Sequence, residues 1–341
     1  MKNRALFLIF TLFLSCTGVV LLLRRNSSKE SSPANFLPVV TTAVPPTEAA
    51  PAREMQETLP SFDRTLTLWV KNGEEVQEMP LHDYLLGVLL AEMPANFSEE
   101  ALKAQAVASR TYTLRKASAK KHPYADICTV SACCQAWCSV DAYLEKGGTQ
   151  ENIEKVSAAI EETDALVVTY SGKLIDATFF SCAGGSTEAA SAVWGNDVPY
   201  LQAVSSPEDV PHYSQTLCIS AETFTETLRS LYPEATLTGE PSNWFGTITY
   251  TPGAGIQTVS IGGLEVSGVQ LRRLFSLRST DITITTEENN IFLSTDGYGH
   301  RVGLSQYGAD AMAQAGQDFE QILLHYYQGT QIQRLTLTGQ R

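Results

Sequence analysis

LHDYLLGVLLAEMPANFSEEALKAQAVASRTY, residues 81–112, holds the two helices and the break between them on which the reading of this chain turns. From Leu81 to Leu90 the apolar residues recur at helical spacing. Pro94 disfavours the α region for the residue before it, so the helix is predicted to end at about Glu92. A second helix is predicted to start near Ser98, an N-cap residue type followed by Glu99 and Glu100, which complement the positive end of the helix dipole. Its alanines, Ala101, Ala104, Ala106 and Ala108, let another element approach closely. Lys103 and Arg110 lie seven residues apart and project from one face. For an isolated pair of helical cations, the ordinary expectation is two solvated surface positions.

Upstream, Thr65 to Val70 alternates as a strand and Asn72-Gly73 turns it into a hairpin. Downstream, Ile153 to Ile160 reads as helix, Leu166 to Tyr170 and Leu174 to Phe180 as strands across Ser171-Gly172, and Gly184-Gly185 as a tight loop. Gln257 to Ile261 and Asp281 to Thr285 alternate as strands, and a final helix is predicted from about Ala309 to Tyr327, closed by Gly329. There is no regular βαβ rhythm and no internal repeat. The predicted class is therefore α+β, mixed helices and antiparallel strands with a substrate cleft, over residues 61–341.

Ala5 to Leu23 is an unbroken apolar or weakly polar run, with Lys2 and Arg4 before it and Arg24 and Arg25 after it. It is long enough to span a bilayer and ends in Leu21-Leu22-Leu23-Arg24-Arg25 without a small-residue cleavage site. Residues 1–25 are thus expected to be a single uncleaved transmembrane helix that holds the chain at the cell membrane. A lipoprotein reading at Cys16 is weaker, because the apolar run continues for seven residues beyond it. Basic residues on both flanks leave the orientation open. Residues 26–60, rich in Ser, Thr, Ala, Glu and Pro, read as a disordered tether. That arrangement suits an enzyme working just outside the membrane. The formal net charge of -13 excludes a sequence-independent nucleic-acid binder, which needs a basic surface.

Glu92 stands where a helix presents its negative end, among Leu89, Leu90, Met93 and Pro94. Dipole and desolvation both favour the neutral carboxyl, the form required of a general acid in glycosidic cleavage. Most glutamates near helix ends are solvated and inert, so specificity rests on a wider constellation. It comprises Glu92-Met93-Pro94-Ala95-Asn96-Phe97, the helix through Tyr112, Gly297-Tyr298-Gly299-His300, and Gly303-Leu304-Ser305-Gln306-Tyr307-Gly308-Ala309. Between them stand Tyr170-Ser171-Gly172-Lys173, Gly184-Gly185-Ser186-Thr187-Glu188, Val193-Trp194-Gly195 and Pro199-Tyr200-Leu201.

From about Leu66 to Thr330 the chain resembles the stage II sporulation protein D family, which also includes the amidase-enhancer proteins of cell-wall metabolism. The resemblance implies a peptidoglycan lytic transglycosylase that acts on strands freed of their stem peptides, with Glu92 as catalytic acid. One carboxylate suffices for such a reaction, since an internal hydroxyl of N-acetylmuramic acid replaces water, and a paired-acid hydrolase would need two. It also implies that Lys103 and Arg110 are cleft residues and that Tyr200, His300, Gln306 and Tyr307 contact sugar, although either tyrosine would serve equally as a core aromatic. Septal wall remodelling during engulfment, alongside stage II sporulation proteins P and M, follows from the same resemblance. The non-catalytic alternative is an enhancer of a cell-wall amidase. Two positions depart from the family pattern: Arg301 stands where glycine is usual, and Leu304 replaces methionine.

His122, Cys128, Cys133, Cys134 and Cys138 fall within seventeen residues. Three thiolates and an imidazole at this spacing fit a closed tetrahedral zinc. The resemblance places the ligands at His122, Cys128, Cys133 and Cys134, with a cysteine replacing a histidine before Gln135-Ala136-Trp137, and makes the zinc structural. A zinc hydrolase would need an open position, which this donor set does not leave. Disulfides involving Cys138, Cys182 and Cys218 are the competing expectation, less favoured because tight Cys/His clustering marks metal sites more than bridges.

Overall fold

The computed structural model describes residues 60–207 and 213–337. A one-turn helix, α1 (Phe62–Thr65), leads into a hairpin of β1 (Thr67–Asn72) and β2 (Glu75–Pro80), turned at Gly73 in the left-handed region. Next comes α2 (Leu81–Glu92), which buries Leu81, Leu85, Val88 and Leu89 completely. It stops at Glu92 because Met93, ahead of Pro94, is extended at φ -129 and ψ 137. The long α3 (Glu99–Ser118) follows. Ser98 precedes it without a side-chain capping bond, and its backbone N–H donates to Asp310 Oδ1 at 2.7 Å.

β3 (Ile127–Cys128), α4 (Val140–Glu145), α5 (Gln150–Glu162), β4 (Leu166–Tyr170), β5 (Lys173–Leu174), β6 (Phe179–Phe180) and α6 (Ala190–Trp194) extend this lobe. The strand predicted over 174–180 is split into β5 and β6. Between them Asp176 turns its carboxylate to Arg115 and Lys116 and its N–H to the Tyr200 hydroxyl, leaving the ladder.

A second core follows. β7 (Gln215–Ser220), α7 (Ala221–Arg229), β8 (Phe245–Tyr250), β9 (Ile256–Ile261), β10 (Leu264–Ser267), α8 (Gly268–Leu274), β11 (Asp281–Glu287) and β12 (Asn290–Asp296) form two antiparallel three-stranded sheets. The sheets and helices enclose Phe224, Val259, Leu271 and Leu293, and Phe224 stacks on Phe275. The chain then returns to the first core through β13 (Leu304–Ser305), α9 (Gln306–Gln314), α10 (Phe319–Tyr326) and β14 (Gln331–Arg334). The single helix predicted over 309–327 is two, interrupted at Gly316 (φ +90) and restarted by an Asp318–Gln321 capping box.

Arg301 ties the two cores together. It keeps a left-handed backbone (φ +64) that suits glycine, and its buried guanidinium donates to the carbonyls of Ala183, Ser186 and Gly253, each at 2.8 Å. Its Nη1 lies 3.6 Å from Glu188 Oε1, which accepts from Gly255 N–H in the second lobe.

The expectation of an α+β domain of antiparallel strands behind a transmembrane helix is corrected. Parallel pairs occur as well, β1 with β3 and β6 with β13, so the architecture is mixed α/β built from small sheets. Both parallel pairs join strands from distant stretches of chain, which local alternation does not report. No helix among the described residues is long and apolar enough to cross a membrane. The longest, α3, carries Glu99, Glu100, Lys103, Arg110, Arg115 and Lys116. The membrane helix expected over 1–25 and, Pro60 apart, the tether expected over 26–60 lie outside the described residues.

Candidate active site and metal centre

Glu92 closes α2, and its carboxyl reaches the edge of a groove made of two adjoining hollows. One, of ≈ 310 Å³, is lined by Leu90 to Ala95 and Tyr143; the other, of ≈ 590 Å³, shares Leu90, Ala91 and Tyr143 and continues past Ala136, Trp137 and Cys138. Glu92 Oε1 accepts a 2.6 Å bond from the backbone N–H of Ala136. Burial pushes the carboxyl above its ordinary pKa, and the Ala136 bond, which favours the charged form, opposes this only in part. Among the described residues no other carboxylate lines either hollow.

The loop that supplies Ala136 is clamped to α2 and α3. Cys138 N–H donates to Gly87 O at 3.1 Å, the Tyr84 hydroxyl to Cys128 O at 3.1 Å, and Gln135 Nε2 to Thr113 Oγ1 at 2.8 Å. Gly87 explains how the loop comes so close: a Cβ there would lie 2.1 Å from Trp137 Nε1 and 2.6 Å from Cys138 O. Sequence reading took Gln135-Ala136-Trp137 only as a landmark. The backbone donor of Ala136 and the walls formed by Trp137 and Tyr143 were missed, and a glycine inside an otherwise leucine-rich helix was the available clue.

The same loop gathers His122, Cys128, Cys133 and Cys134, whose donor atoms all lie within 4.8 Å of one another. His122 Nε2 is 3.4 Å from Cys134 Sγ and 3.7 Å from Cys133 Sγ, and the two sulfurs are 3.8 Å apart. A tetrahedral zinc with ordinary Zn–S and Zn–N bonds has S···S edges of about 3.8 Å and N···S edges of about 3.5 Å, which the His122, Cys133 and Cys134 edges match, with Cys128 near enough to complete the donor set. Cys138 is not in the group. The six cysteines among the described residues, Cys182 and Cys218 included, are all free of disulfides.

The remaining residues expected at the glycan are spread through the fold. Arg110 is fully buried; its Nε lies 2.9 Å from both Asp63 oxygens, and its other donors serve Leu166 O and Ile160 O. It holds α1 and β4 against α3, and with no exposed surface it presents none of its donors to a sugar. Lys103 bridges Glu100 at 2.8 Å and Glu162 at 2.7 Å, joining α3 to the end of α5. Tyr200 is buried and its hydroxyl accepts from Asp176 N–H. Gln306 is buried with its Nε2 3.5 Å from Gln105 Oε1.

His300 packs between Phe180 and Trp194 and accepts from Val302 N–H. Burial first, and the Arg272 charge second, lower its pKa to about 4, so the ring is neutral near pH 7. Tyr307 is partly exposed and meets Phe97 and Tyr213 edge-on, each at 4.7 Å. Of these six, Tyr307 alone sits beside the Glu92 segment through an aromatic neighbour, Phe97.

Comparison with known proteins places this geometry. The SpoIID family model, described as stage II sporulation protein, matches residues 70–170, the span that holds Glu92, the groove walls and the His/Cys cluster. The chain is 36% identical to stage II sporulation protein D of Bacillus subtilis (strain 168) over 289 residues, covering 83% of this chain and 82% of that protein. It is 34% identical to stage II sporulation protein D of Bacillus amyloliquefaciens, with 81% of each chain covered. The amidase enhancer of Bacillus subtilis (strain 168) is 31% identical over 72% of this chain and 40% of its own length. On the family match and these identities, the chain belongs to the stage II sporulation protein D family.

Proposed function

We propose that this sporulation-family protein of the cell wall is a lytic transglycosylase, which cuts peptide-free glycan strands between N-acetylmuramic acid and N-acetylglucosamine outside the cytoplasm. The observation that carries the reading is a single half-buried carboxyl, Glu92, raised in pKa at the edge of an open groove in which no second carboxylate stands among the described residues.

In the first step the Glu92 carboxyl gives its proton to the glycosidic oxygen, and the bond from C1 of N-acetylmuramic acid to that oxygen breaks. N-acetylglucosamine leaves with a free 4-hydroxyl. The 6-hydroxyl of the same N-acetylmuramic acid bonds to C1 and returns its proton to the Glu92 carboxylate. The result is a 1,6-anhydro end and a regenerated acid, with no water consumed. Ala136 N–H orients the carboxyl and steadies the charge it carries between the two proton transfers.

His122, Cys128, Cys133 and Cys134 would hold a structural zinc. With four protein donors it supplies a cross-link for the groove loop and no open position. Protein purified without added zinc is expected to carry about one equivalent; absence of zinc together with absence of free thiols would remove this part.

Glu92→Gln is expected to lower cleavage of denuded strands by about 10²–10⁴-fold, the usual contribution of a general acid, with the fold intact. Mass spectrometry of 1,6-anhydro ends is the measurement, and undiminished product would sink the reading. The amidase-enhancer relative supports a second reading. Under it, wild-type protein forms no anhydro ends, and Glu92→Gln still stimulates an amidase. A wall-remodelling place during engulfment, beside stage II sporulation proteins P and M, accords with either.

A further inference from the structure

Past Glu92, the groove runs along Trp137 and Tyr143 to Lys146, Gly147, Gly148 and Asn152. In a chain of formal net charge -13, Lys146 is the only cation among the described residues that lines it. Its ammonium makes no ion pair among the described residues, unlike Lys103 and Lys116, each held by acidic neighbours. The backbone fixes its place. Lys146 caps α4, Gly147 turns left-handed at φ +91, and Gly148 packs so tightly that a Cβ would lie 2.2 Å from the Tyr143 ring. Asn152 Nδ2 donates to the Tyr143 hydroxyl at 3.2 Å, which leaves the phenolic hydrogen to donate into the groove. This end of the groove therefore offers two aromatic walls, a hydroxyl donor and an unpaired cation. Such a set is complementary to a sugar that carries a carboxylate.

Resting on the transglycosylase reading, we propose that Lys146 is the residue that selects peptide-free strands, by pairing with the lactyl carboxylate of N-acetylmuramic acid. Removal of a stem peptide turns the lactyl amide, which is neutral, into a carboxylate. At the lactyl position the denuded strand thus carries a negative charge where the substituted one has a neutral amide, and it lacks the bulk of the peptide. Lys146 reads the charge, and the Gly147-Gly148 turn, close-packed at Gly148 alone, brings the chain to the groove rim without a side chain of its own. The pair is exposed, so its effect is modest and salt-sensitive.

The test compares wild type, Lys146→Met and Lys146→Arg on three substrates: denuded strands, denuded strands whose lactyl carboxylates have been converted to N-methylamides, and peptide-bearing strands. At low ionic strength Lys146→Met is expected to raise KM for denuded strands about two- to fivefold, with kcat unchanged. On the methylamide strands it changes nothing, and Lys146→Arg restores the wild-type value. The proposal is overturned if the ratio of KM between carboxylate and methylamide strands is the same in wild type and Lys146→Met. It is overturned too if Lys146→Met weakens peptide-bearing strands as much as denuded ones, because the carboxylate read would then belong to the peptide. Strand binding, measured by co-sedimentation for the same three proteins, separates this proposal from its premise. If wild type makes no anhydro ends, the transglycosylase reading falls, while the Kd ratio still decides whether Lys146 reads the carboxylate; failure of every variant to bind denuded strands overturns the Lys146 assignment.

Discussion

The Lys103–Arg110 face of α3 and the loop from Cys128 to Cys138 make opposite use of charge. On α3 both cations are spent inside the protein, Arg110 on Asp63 and two carbonyls, Lys103 on Glu100 and Glu162. The loop meets Glu92 with an uncharged backbone N–H, yet it walls the groove. The difference teaches that charge is a poor marker of the Glu92 end of the groove. A cation beside Glu92 would lower its pKa and keep it ionised, whereas desolvation with one amide donor leaves it raised. The cations are more useful to the fold where they lie, cross-linking α1, β4 and α5 to α3.

The largest expected effect follows from the buried pair. Arg110→Met strands Asp63, which is 1% exposed and whose carboxyl burial already pushes upward against the pull of Arg110. The expected loss is about 3–5 kcal/mol of stability by denaturant unfolding, with KM for glycan unchanged in the protein that remains folded. Asp63→Asn combined with Arg110→Met should recover much of it. A variant with normal stability and a raised KM would return Arg110 to the cleft.

His300 gives the next effect, and it is one of pH. Its folded pKa, about 4, lies below the ordinary 6.5, so the unfolded chain binds more protons between those values. Stability from this group is therefore complete above about pH 6.5 and lost as pH falls toward 4, by on the order of 3 kcal/mol. The slope of stability against pH in that window should be shallower in His300→Asn, whose amide oxygen keeps an acceptor for Val302 N–H. Identical slopes would show that the ring is solvated and free to meet a ligand.

What the sequence made legible, and what it hid, divides along the same lines. The end of α2 was readable because Pro94 acts on its neighbour through local sterics, and β1 because alternation is local. The grouping of His122, Cys128, Cys133 and Cys134 was readable because they are close in sequence as well as in space. Arg110 was not, since its partner is 47 residues away and helical spacing says which face a residue occupies without saying what covers that face. Nor was the split of the last helix, where Gly316 adopts φ +90 within a stretch otherwise apolar at helical period. Arg301 was flagged as an intruder on a glycine position. Its left-handed backbone is tolerated because the side chain holds together carbonyls from both cores.

The smallest effect on stability should be the most telling for the site. Gly87→Ala places a methyl where Trp137 Nε1 and Cys138 O now stand, at 2.1 and 2.6 Å, and the second of these is backbone that cannot swing aside. The loop must retreat, at a cost of about 1–3 kcal/mol, partly offset by alanine's better helix propensity. Because Ala136 N–H moves with Trp137, Glu92 loses its donor while its own helix stays in place. Glycan cleavage is therefore expected to fall by at least tenfold in kcat, while denaturant unfolding registers far less than for Arg110→Met. If Gly87→Ala instead kept full kcat, the loop would be only a wall of the groove, and the orientation of the Glu92 carboxyl would have to come from α2 alone.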